Sequence, residues 1–229
     1  TGPGLSRNQT RADHPLPGGV RTFNHLSFAF NGTLTYRFNE RYALEGAAGW
    51  YLTHDGLRYG ELVYDRDPDG SPLHVSGSHS SVFPVRQLRL HGLRYLPFAH
   101  GKLAGVLGAG GSFVWGRFHE YAGFSRYHEY GRLEQEYIRF RAEPTTTRQA
   151  GFLVGAQAGL EWRPSPRNTL ALTAQYYLGL SPIYAARTVD FVYSDAYRGV
   201  VDYDQQATFL NRGSYGVITL GYQRRLWTR

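Results

Sequence analysis

Alternation of apolar and polar residues over 26–52 is the feature that most constrains the fold of this chain. Between Leu26 and Phe38 the large apolar side chains fall on one side of a period-two pattern, and Ser, Ala, Asn, Thr and Arg fall on the other. The pattern resumes over 42–52 after the tripeptide NER, which is short and polar as a tight hairpin turn requires. The sequence therefore predicts two long antiparallel β-strands joined by a tight turn.

Further stretches alternate in the same way, and the connections between them are of two lengths. Seven strands are predicted, over 26–38, 42–53, 85–96, 103–115, 148–163, 169–180 and 214–227. The short connections NER, PFAHGK and PSPRN alternate with long aromatic and charged excursions over 54–84, 116–147 and 181–213. We expect the excursions to pair into an ordered extracellular cap. The first contains the turn signal DPDG, which predicts an extended hairpin.

Composition restricts the class of protein further. The 229 residues include no Cys, which excludes disulfides and thiol chemistry, and no Met, which predicts that a leading segment such as a signal peptide has been removed. No window of about 18 apolar residues is present, which excludes a transmembrane helix but not a transmembrane barrel with alternating strands. The net charge is +7, and Lys102 is the only lysine among 25 basic residues.

The scattering of the arginines argues against nucleic acid as a partner. Their abundance is explained either by genome base composition or by contact with phosphate-bearing lipid headgroups.

The composition of the polar faces indicates which side of the strands points outward. These faces are rich in Gly, Ala, Ser, Thr and Gln rather than Lys and Glu, which favours a packed interior and an apolar, lipid-facing exterior. A soluble lipocalin-like barrel, with apolar residues inside, is the alternative. Aromatic residues beside the short turns predict an interfacial girdle, formed by Tyr36, Phe38, Tyr42, Tyr95, Phe98, Trp162, Tyr222 and Trp227.

The hairpin units YRFNERYALEGAAGW, LRYLPFAHGKLAGVLGAGGSF and LEWRPSPRNTLALTAQYYLGL, with the terminal YGVITLGYQRRLW, resemble small bacterial outer-membrane β-barrels of the OmpA, OmpX and OmpW type. The likeness is greatest to the eight-stranded barrel domains common in Bacteroidetes, and it covers 23–229. It implies an all-β, antiparallel up-and-down transmembrane-type barrel of about eight strands, with short periplasmic turns and long β-rich extracellular loops. One departure is that Thr228 and Arg229 follow the terminal aromatic, Trp227.

Seven strands leave the closure of such a barrel open, since bacterial single-chain barrels have even strand numbers. With the short turns periplasmic, Leu26–Phe38 becomes the second strand. Residues 1–22 are polar and rich in Gly and Pro, and they are interpreted as a flexible N-terminal arm. Either a weak strand near Leu5–Asp13 closes the barrel, or the edge of Leu26–Phe38 accepts a strand from another subunit and gives a homo-oligomer or polymer.

Charged residues on inward faces are the first candidates for a functional site. Because buried charges must pair, a Glu–Arg network that plugs the lumen is expected, and a gated ion path is the alternative. The predicted members are Arg37, Glu45, Arg89, Glu161 and Arg225.

No catalytic, cofactor-binding or metal site is predicted. The repeated His-Glu pairs at 119–120 and 128–129 match no zinc-ligand spacing, and His54-Asp55 and Ser78-His79-Ser80 lie in no hydrolase motif. Loop tyrosines are candidates for surface contacts, although they could equally pack on one another. The candidates are Tyr121, Tyr127, Tyr130, Tyr193 and Tyr197.

We therefore expect a non-enzymatic barrel in a bacterial outer membrane, or at the cell surface or outside the cell, that acts as a structural or surface-interaction protein with a plugged polar lumen. The expected partner is outer-membrane lipid or lipopolysaccharide, and no cofactor is expected. One alternative is a self-assembling cell-surface or extracellular filament subunit joined by strand donation from the N-terminal arm. The other is a rim hydrolase acting on lipid.

Overall fold

The computed structural model describes residues 2–12, 21–23, 26–66, 72–98, 102–116, 127–130, 136–195, 199–203 and 207–225, and its regular elements are all β-strands. In chain order these are β1 (Gly2–Ala12), β2 (Arg21–Phe23), β3 (Leu26–Arg37), β4 (Tyr42–Arg66), β5 (Pro72–Phe98), β6 (Leu103–Trp115), β7 (Tyr127–Tyr130), β8 (Glu136–Thr147), β9 (Ala150–Ser165), β10 (Asn168–Gly179), β11 (Tyr184–Asp195), β12 (Val200–Tyr203) and β13 (Thr208–Arg224). The prediction of an all-β fold is confirmed.

A ring of eight antiparallel strands forms the wall of the molecule. The order around the ring is β1-β3-β4-β5-β6-β9-β10-β13, and β13 pairs with β1 to close it. Wall strands that are consecutive in the sequence are also neighbours in the ring, so the topology is up-and-down. The predicted up-and-down barrel of about eight strands is confirmed.

The N-terminal strand β1 occupies the position that the alternation pattern left empty. Residues 2–7 pair with residues 26–31 of β3, and residues 4–12 pair with β13 between Phe209 and Thr219. The strand contributes 11 residues to the wall from the range 1–22 that the sequence suggested was a flexible arm. Its hydrogen bonds to two neighbours explain how so weakly patterned a segment is held in the wall.

The register of the ring fixes its width. Strand partners followed from Arg37 of β3 lead through every ring strand back to Ser27 of β3, ten residues earlier in the same strand. A stagger of this size in eight strands tilts them by roughly 35–45° from the axis. It leaves an interior just wide enough for side chains to fill.

Apolar side chains point outward from the ring and polar side chains point inward. In β3, Leu26, Phe28 and Leu34 are each about 60% exposed or more, whereas Ser27 and Asn31 are buried. The 12 residues of β3 cover roughly 30 Å along the axis at 3.3 Å per residue and a tilt of about 40°. That length matches the hydrocarbon thickness of a bilayer.

The long connections form further β-structure at one end of the ring. The hairpin of β4 and β5 continues beyond the wall to the pair Arg66 and Pro72, and the DPDG sequence between them lies outside the described residues. Strand β11 pairs with β8, β12 and the first residues of β13, and β7 pairs with β8. The predicted long β-rich loops are therefore confirmed, and we call this end of the barrel the long-loop end. The opposite end is the short-turn end.

No helix in the described residues has the length and apolarity needed to cross a bilayer.

Candidate functional site

The lumen is closed near the short-turn end by an ionic and aromatic cluster. The carboxylate of Glu161 on β9, which is 3% exposed, accepts hydrogen bonds from Arg37 Nη2 at 2.7 Å and Arg163 Nη2 at 3.2 Å. The Arg37 guanidinium lies 3.9 Å from the ring centroid of Tyr95, and that of Arg163 lies 5.8 Å from it. One buried carboxylate therefore lies between two partly exposed cations and a buried tyrosine ring at this end of the lumen.

Five side chains across the middle of the lumen form a closed ring of hydrogen bonds. Arg89 Nη1 donates to Gln175 Oε1 and, at 3.2 Å, to the Tyr177 hydroxyl. Gln175 Nε2 and His91 Nδ1 both donate to Gln157 Oε1, at 2.8 and 3.0 Å. The Tyr177 hydroxyl closes the ring by donating to His91 Nε2 at 3.1 Å. Because an amide oxygen only accepts, His91 carries a proton on Nδ1 in this arrangement.

A stack of tyrosine rings closes the lumen above this hydrogen-bonded ring, toward the long-loop end. Tyr215 lies between Tyr51 and Tyr177, with centroid distances of 4.2 and 4.7 Å, and all three are fully buried. The Tyr215 hydroxyl donates to Gln87 Oε1, so its polar end is satisfied. Ile183, which follows β10, joins the same buried cluster and covers the stack from the cap.

A polar cavity of about 50 Å³ lies along the inner wall of the lumen. Its lining includes Glu45, Arg89 and Gln175, together with threonines of β3, β10 and β13. Two buried donors on lining residues, Asn31 Nδ2 and Arg89 Nε, have no protein partner. A cavity of this size has room for roughly three to five water molecules, and orphaned donors are what such waters bind.

Glycines in the wall provide the space that these large side chains occupy. A Cβ at Gly110 would collide with the Leu90 carbonyl oxygen and the His91 ring, and a Cβ at Gly155 would collide with the Tyr177 ring. The small residues on the inward faces therefore leave room for the large side chains of other strands, as expected in a narrow barrel.

Four of the five predicted lumen charges lie inside the barrel. Arg37 and Glu161 form the ion pair described above, while Glu45 and Arg89 line the cavity. Arg225 does not join them. It is exposed just beyond β13, where its backbone N–H donates to the Arg167 carbonyl oxygen at 2.9 Å.

Six of the eight aromatic residues predicted as a girdle lie on the outer surface at the short-turn end. Exposed there are Tyr36, Phe38, Tyr42, Phe98, Trp162 and Tyr222. The prediction that Tyr95 belongs to this girdle is wrong. Tyr95 shares the inward parity of Arg89 and His91 and is 2% exposed beneath Arg37. Trp227 lies outside the described residues.

The surface-contact tyrosines are only partly accounted for. Tyr193 is buried in β11, so its prediction as a surface contact is wrong, because the cap strands pack that side of β11 inward. Tyr127 and Tyr130 begin and end β7. Tyr121 and Tyr197 lie outside the described residues.

The tyrosine stack and the glutamines of the hydrogen-bonded ring were not predicted as site residues. The signal for them was present: Tyr51 and Tyr177 interrupt faces made of small and polar residues. A large aromatic at an inward position of a narrow barrel must meet similar residues across the lumen. Tyr177 and Tyr215 are cross-strand partners on the neighbouring strands β10 and β13, whereas Tyr51 comes from β4, which is not adjacent to either. The sequence does not reveal which non-adjacent strands face one another across the lumen.

The described side chains of the lumen are held together by hydrogen bonds and an ion-pair cluster. Among those residues, no group of three or more His, Asp or Glu side chains is arranged to hold a metal ion. The rim residues considered for hydrolysis lie on β4 and β5, where Asp55 is paired with Ser81, and His79 with Leu57.

No protein-family model matches the chain, and no curated protein matches it. Solved structures do match. The outer membrane protein OprG from Pseudomonas aeruginosa is 9% identical with a TM-score of 0.47, over 98% of this chain and 95% of OprG. The outer membrane protease OmpT from Escherichia coli is 12% identical with a TM-score of 0.27, over 90% of this chain and 65% of OmpT. These similarities are too low to carry either protein's activity to this chain.

The closed ring, its register and its outward apolar face agree on the architecture. The fold is that of a small outer-membrane β-barrel.

Proposed function

We propose that this chain is a non-enzymatic outer-membrane barrel that acts as a structural or surface-interaction protein, with a lumen that is closed to solutes. The observation that carries the proposal is the stack of Tyr51, Tyr215 and Tyr177, three fully buried rings that lie in contact inside the barrel. A pore-forming barrel would instead line a water-filled channel with polar side chains.

Two closures in series support this function over ion conduction. The tyrosine stack closes one side of the hydrogen-bonded ring, and the Glu161 cluster closes the other. The polar cavity lies on the short-turn side of the tyrosine stack, so the stack separates the water that fits it from the long-loop end. Each stacked aromatic pair contributes about 0.5–1.5 kcal/mol beyond its buried area, so opening the stack is costly.

Membrane residence is supported by the outer surface. The exposed large apolar residues surround the ring, and they include Phe28, Leu90, Phe152, Leu172 and Leu220. Water would solvate such a continuous surface poorly, since soluble monomers rarely expose apolar patches beyond a few hundred Å². We therefore infer that lipid covers this face, and the long-loop end remains free for contacts outside the bilayer.

The filament hypothesis required the edge of β3 to be free for a neighbour's strand. Strand β1 of the same chain pairs with residues 26–31 of that edge, so an intramolecular partner is available. We favour the monomeric barrel on this ground. Discrete particles in negative-stain images of sheared surface material would agree with it, and regular fibres of this protein would contradict it.

Conductance across planar bilayers tests the closed lumen. The wild-type protein is expected to give no steady conductance. A variant that removes the large aromatic side chains from both closures, Tyr177→Ala/Tyr215→Ala/Tyr95→Ala, is expected to conduct small ions. The matched control exchanges the outward neighbour Tyr176, which is 46% exposed, for Ala and is expected to stay silent.

Steady wild-type conductance equal to that of the triple variant would contradict the proposed closed lumen. Folding of each variant is verified by heat-modifiable gel mobility before the conductance is interpreted.

A further inference from the structure

Six cationic side chains encircle the short-turn end, and we call them the basic rim. The rim consists of Arg41, Arg94, Lys102, Arg167, Arg224 and Arg225, all of which are exposed. None of the six forms an ion pair with another described residue, whereas Arg37 and Arg163 of the lumen share Glu161. The six positive charges of the rim exceed the negative charge of the exposed Glu40, which precedes Arg41 in the same turn, so this end carries net positive charge.

Backbone pairing brings like charges together in the rim. The Arg41 carbonyl oxygen accepts from the Tyr95 N–H at 2.7 Å, so the backbones of Arg41 and Arg94 are near neighbours on adjacent chain segments. The Arg167 carbonyl oxygen accepts from the Arg225 N–H at 2.9 Å. Neighbouring cations repel each other, and a polyanionic partner relieves that repulsion.

Two members of the rim stand on the outer wall. Arg94 is the cross-strand partner of Tyr42 and Leu107, and its parity in β5 is that of the outward Leu88 and Leu90. Arg94 therefore lies within the exposed aromatic layer at this end of the barrel. Such a layer marks the headgroup region of a bilayer.

Arg224 has the same placement on the opposite part of the wall. It pairs with Asn168 of β10, and the Asn168 side-chain oxygen accepts from the Tyr222 hydroxyl at 2.8 Å. Arg224 shares the outward parity of Leu220 and Tyr222 in β13. An outward guanidinium beside an interfacial tyrosine lies where lipid phosphate groups are found.

We propose that the basic rim binds the phosphate groups of anionic phospholipids in the leaflet that meets the short turns. The inference rests on the proposed membrane function and specifies a partner for it. Guanidinium groups bind phosphate bidentately, which favours arginine over lysine at such sites. Arg94 and Arg224 hold lipids at the wall, and the turn residues Arg41, Lys102 and Arg167 add long-range attraction.

Lipid selectivity measured by electron paramagnetic resonance tests this proposal. The protein is reconstituted in phosphatidylcholine vesicles that contain spin-labelled phosphatidylglycerol or, separately, spin-labelled phosphatidylcholine. An arginine near anionic headgroups gives roughly five-fold preference at its own site. Averaged over the whole lipid shell, the wild-type protein is expected to prefer phosphatidylglycerol about two-fold or more, and 1 M salt is expected to reduce the preference.

The test variant is Arg94→Gln/Arg224→Gln, which is expected to bring the two lipids close to equal association. The matched control, Arg141→Gln/Arg148→Gln, removes the same charge from exposed positions near the long-loop end and is expected to retain the preference. A wild-type protein with no preference, or a preference that survives in Arg94→Gln/Arg224→Gln, would overturn the proposal.

Failure of the membrane function itself gives a different result, because no motionally restricted lipid signal would then appear with either probe. If the Arg94→Gln/Arg224→Gln variant shows no heat-dependent shift in gel mobility, it is not folded. The proposal is then tested by the wild-type protein alone, and a preference for phosphatidylglycerol that 1 M salt does not reduce would overturn it.

Discussion

Exchange of Leu90 for Arg is the substitution that most directly tests the outward apolar face. Leu90 points outward from β5 and is 57% exposed, midway between the exposed Arg86 and Arg94. Four residues separate it from each, which corresponds to roughly 10 Å along the axis on either side. That distance exceeds what an arginine side chain covers easily by snorkelling, so the charge would lie deep in hydrocarbon.

The expected cost of Leu90→Arg in a bilayer is about 2–4 kcal/mol, the range for arginine at the midplane of a barrel wall. If water covered this face instead, the same exposed substitution would change the free energy of unfolding by only about 0.5 kcal/mol in either direction. The sign and size of the effect therefore distinguish a lipid-facing barrel from a soluble one.

Reversible urea unfolding of the protein in lipid vesicles, followed by tryptophan fluorescence, measures this difference. The control is Leu180→Arg, a similarly exposed position after the end of β10, where the cost is expected to be about 0–1 kcal/mol. Equal stability of Leu90→Arg and the wild type would refute the assignment of this face to lipid.

The remaining predictions use the same unfolding measurement. Glu161→Gln is expected to lower the free energy of unfolding by about 1–2 kcal/mol. This is less than the usual cost of breaking a buried ion pair, because Arg37 and Arg163 are each about a quarter exposed and can be hydrated. Glu143→Gln removes an exposed pair with Arg141 and should cost less than about 1 kcal/mol, so equal effects of the two would contradict the assigned cluster. Gly110→Ala is expected to cost at least about 2 kcal/mol because its Cβ meets the backbone at Leu90, whereas Gly46→Ala, with open space around it, should be neutral or slightly stabilising. Tolerance of both glycine substitutions would show that Gly110 does not provide needed space.

The wall of the barrel could be predicted from the sequence because the alternation of apolar and polar residues within each strand shows which side chains share a face. The inward parity of Arg37, Glu45, Arg89 and Glu161 followed directly from their neighbours in each strand. The same parity would have put Tyr95 inside, but its position beside the PFAHGK turn was given more weight. Local patterns identify the face of a strand more reliably than proximity to a turn identifies an interface.

Two aspects of the site depend on information that one strand does not contain. The strand β1 is held by pairing with β3 and β13 rather than by its own alternation, so its sequence carries little signal. The contacts between Gln157, Gln175 and His91 depend on which residues face one another across the lumen. That is set by the stagger of the whole ring, which follows from all its pairings together.

Closure of the ring by β1 and β13 has a consequence for how the protein reaches its native state. The two strands that meet at the seam are the first and last that the structure describes, and residue pairs such as Leu5 and Ile218 are far apart in the sequence. The seam cannot form until synthesis has delivered β13, and until then both strand edges remain open to unwanted pairing. So large a sequence separation also slows the search for the correct partner. The polar, weakly apolar sequence of β1 suits this delay, because an edge with little apolar surface is a poor template for aggregation while it waits.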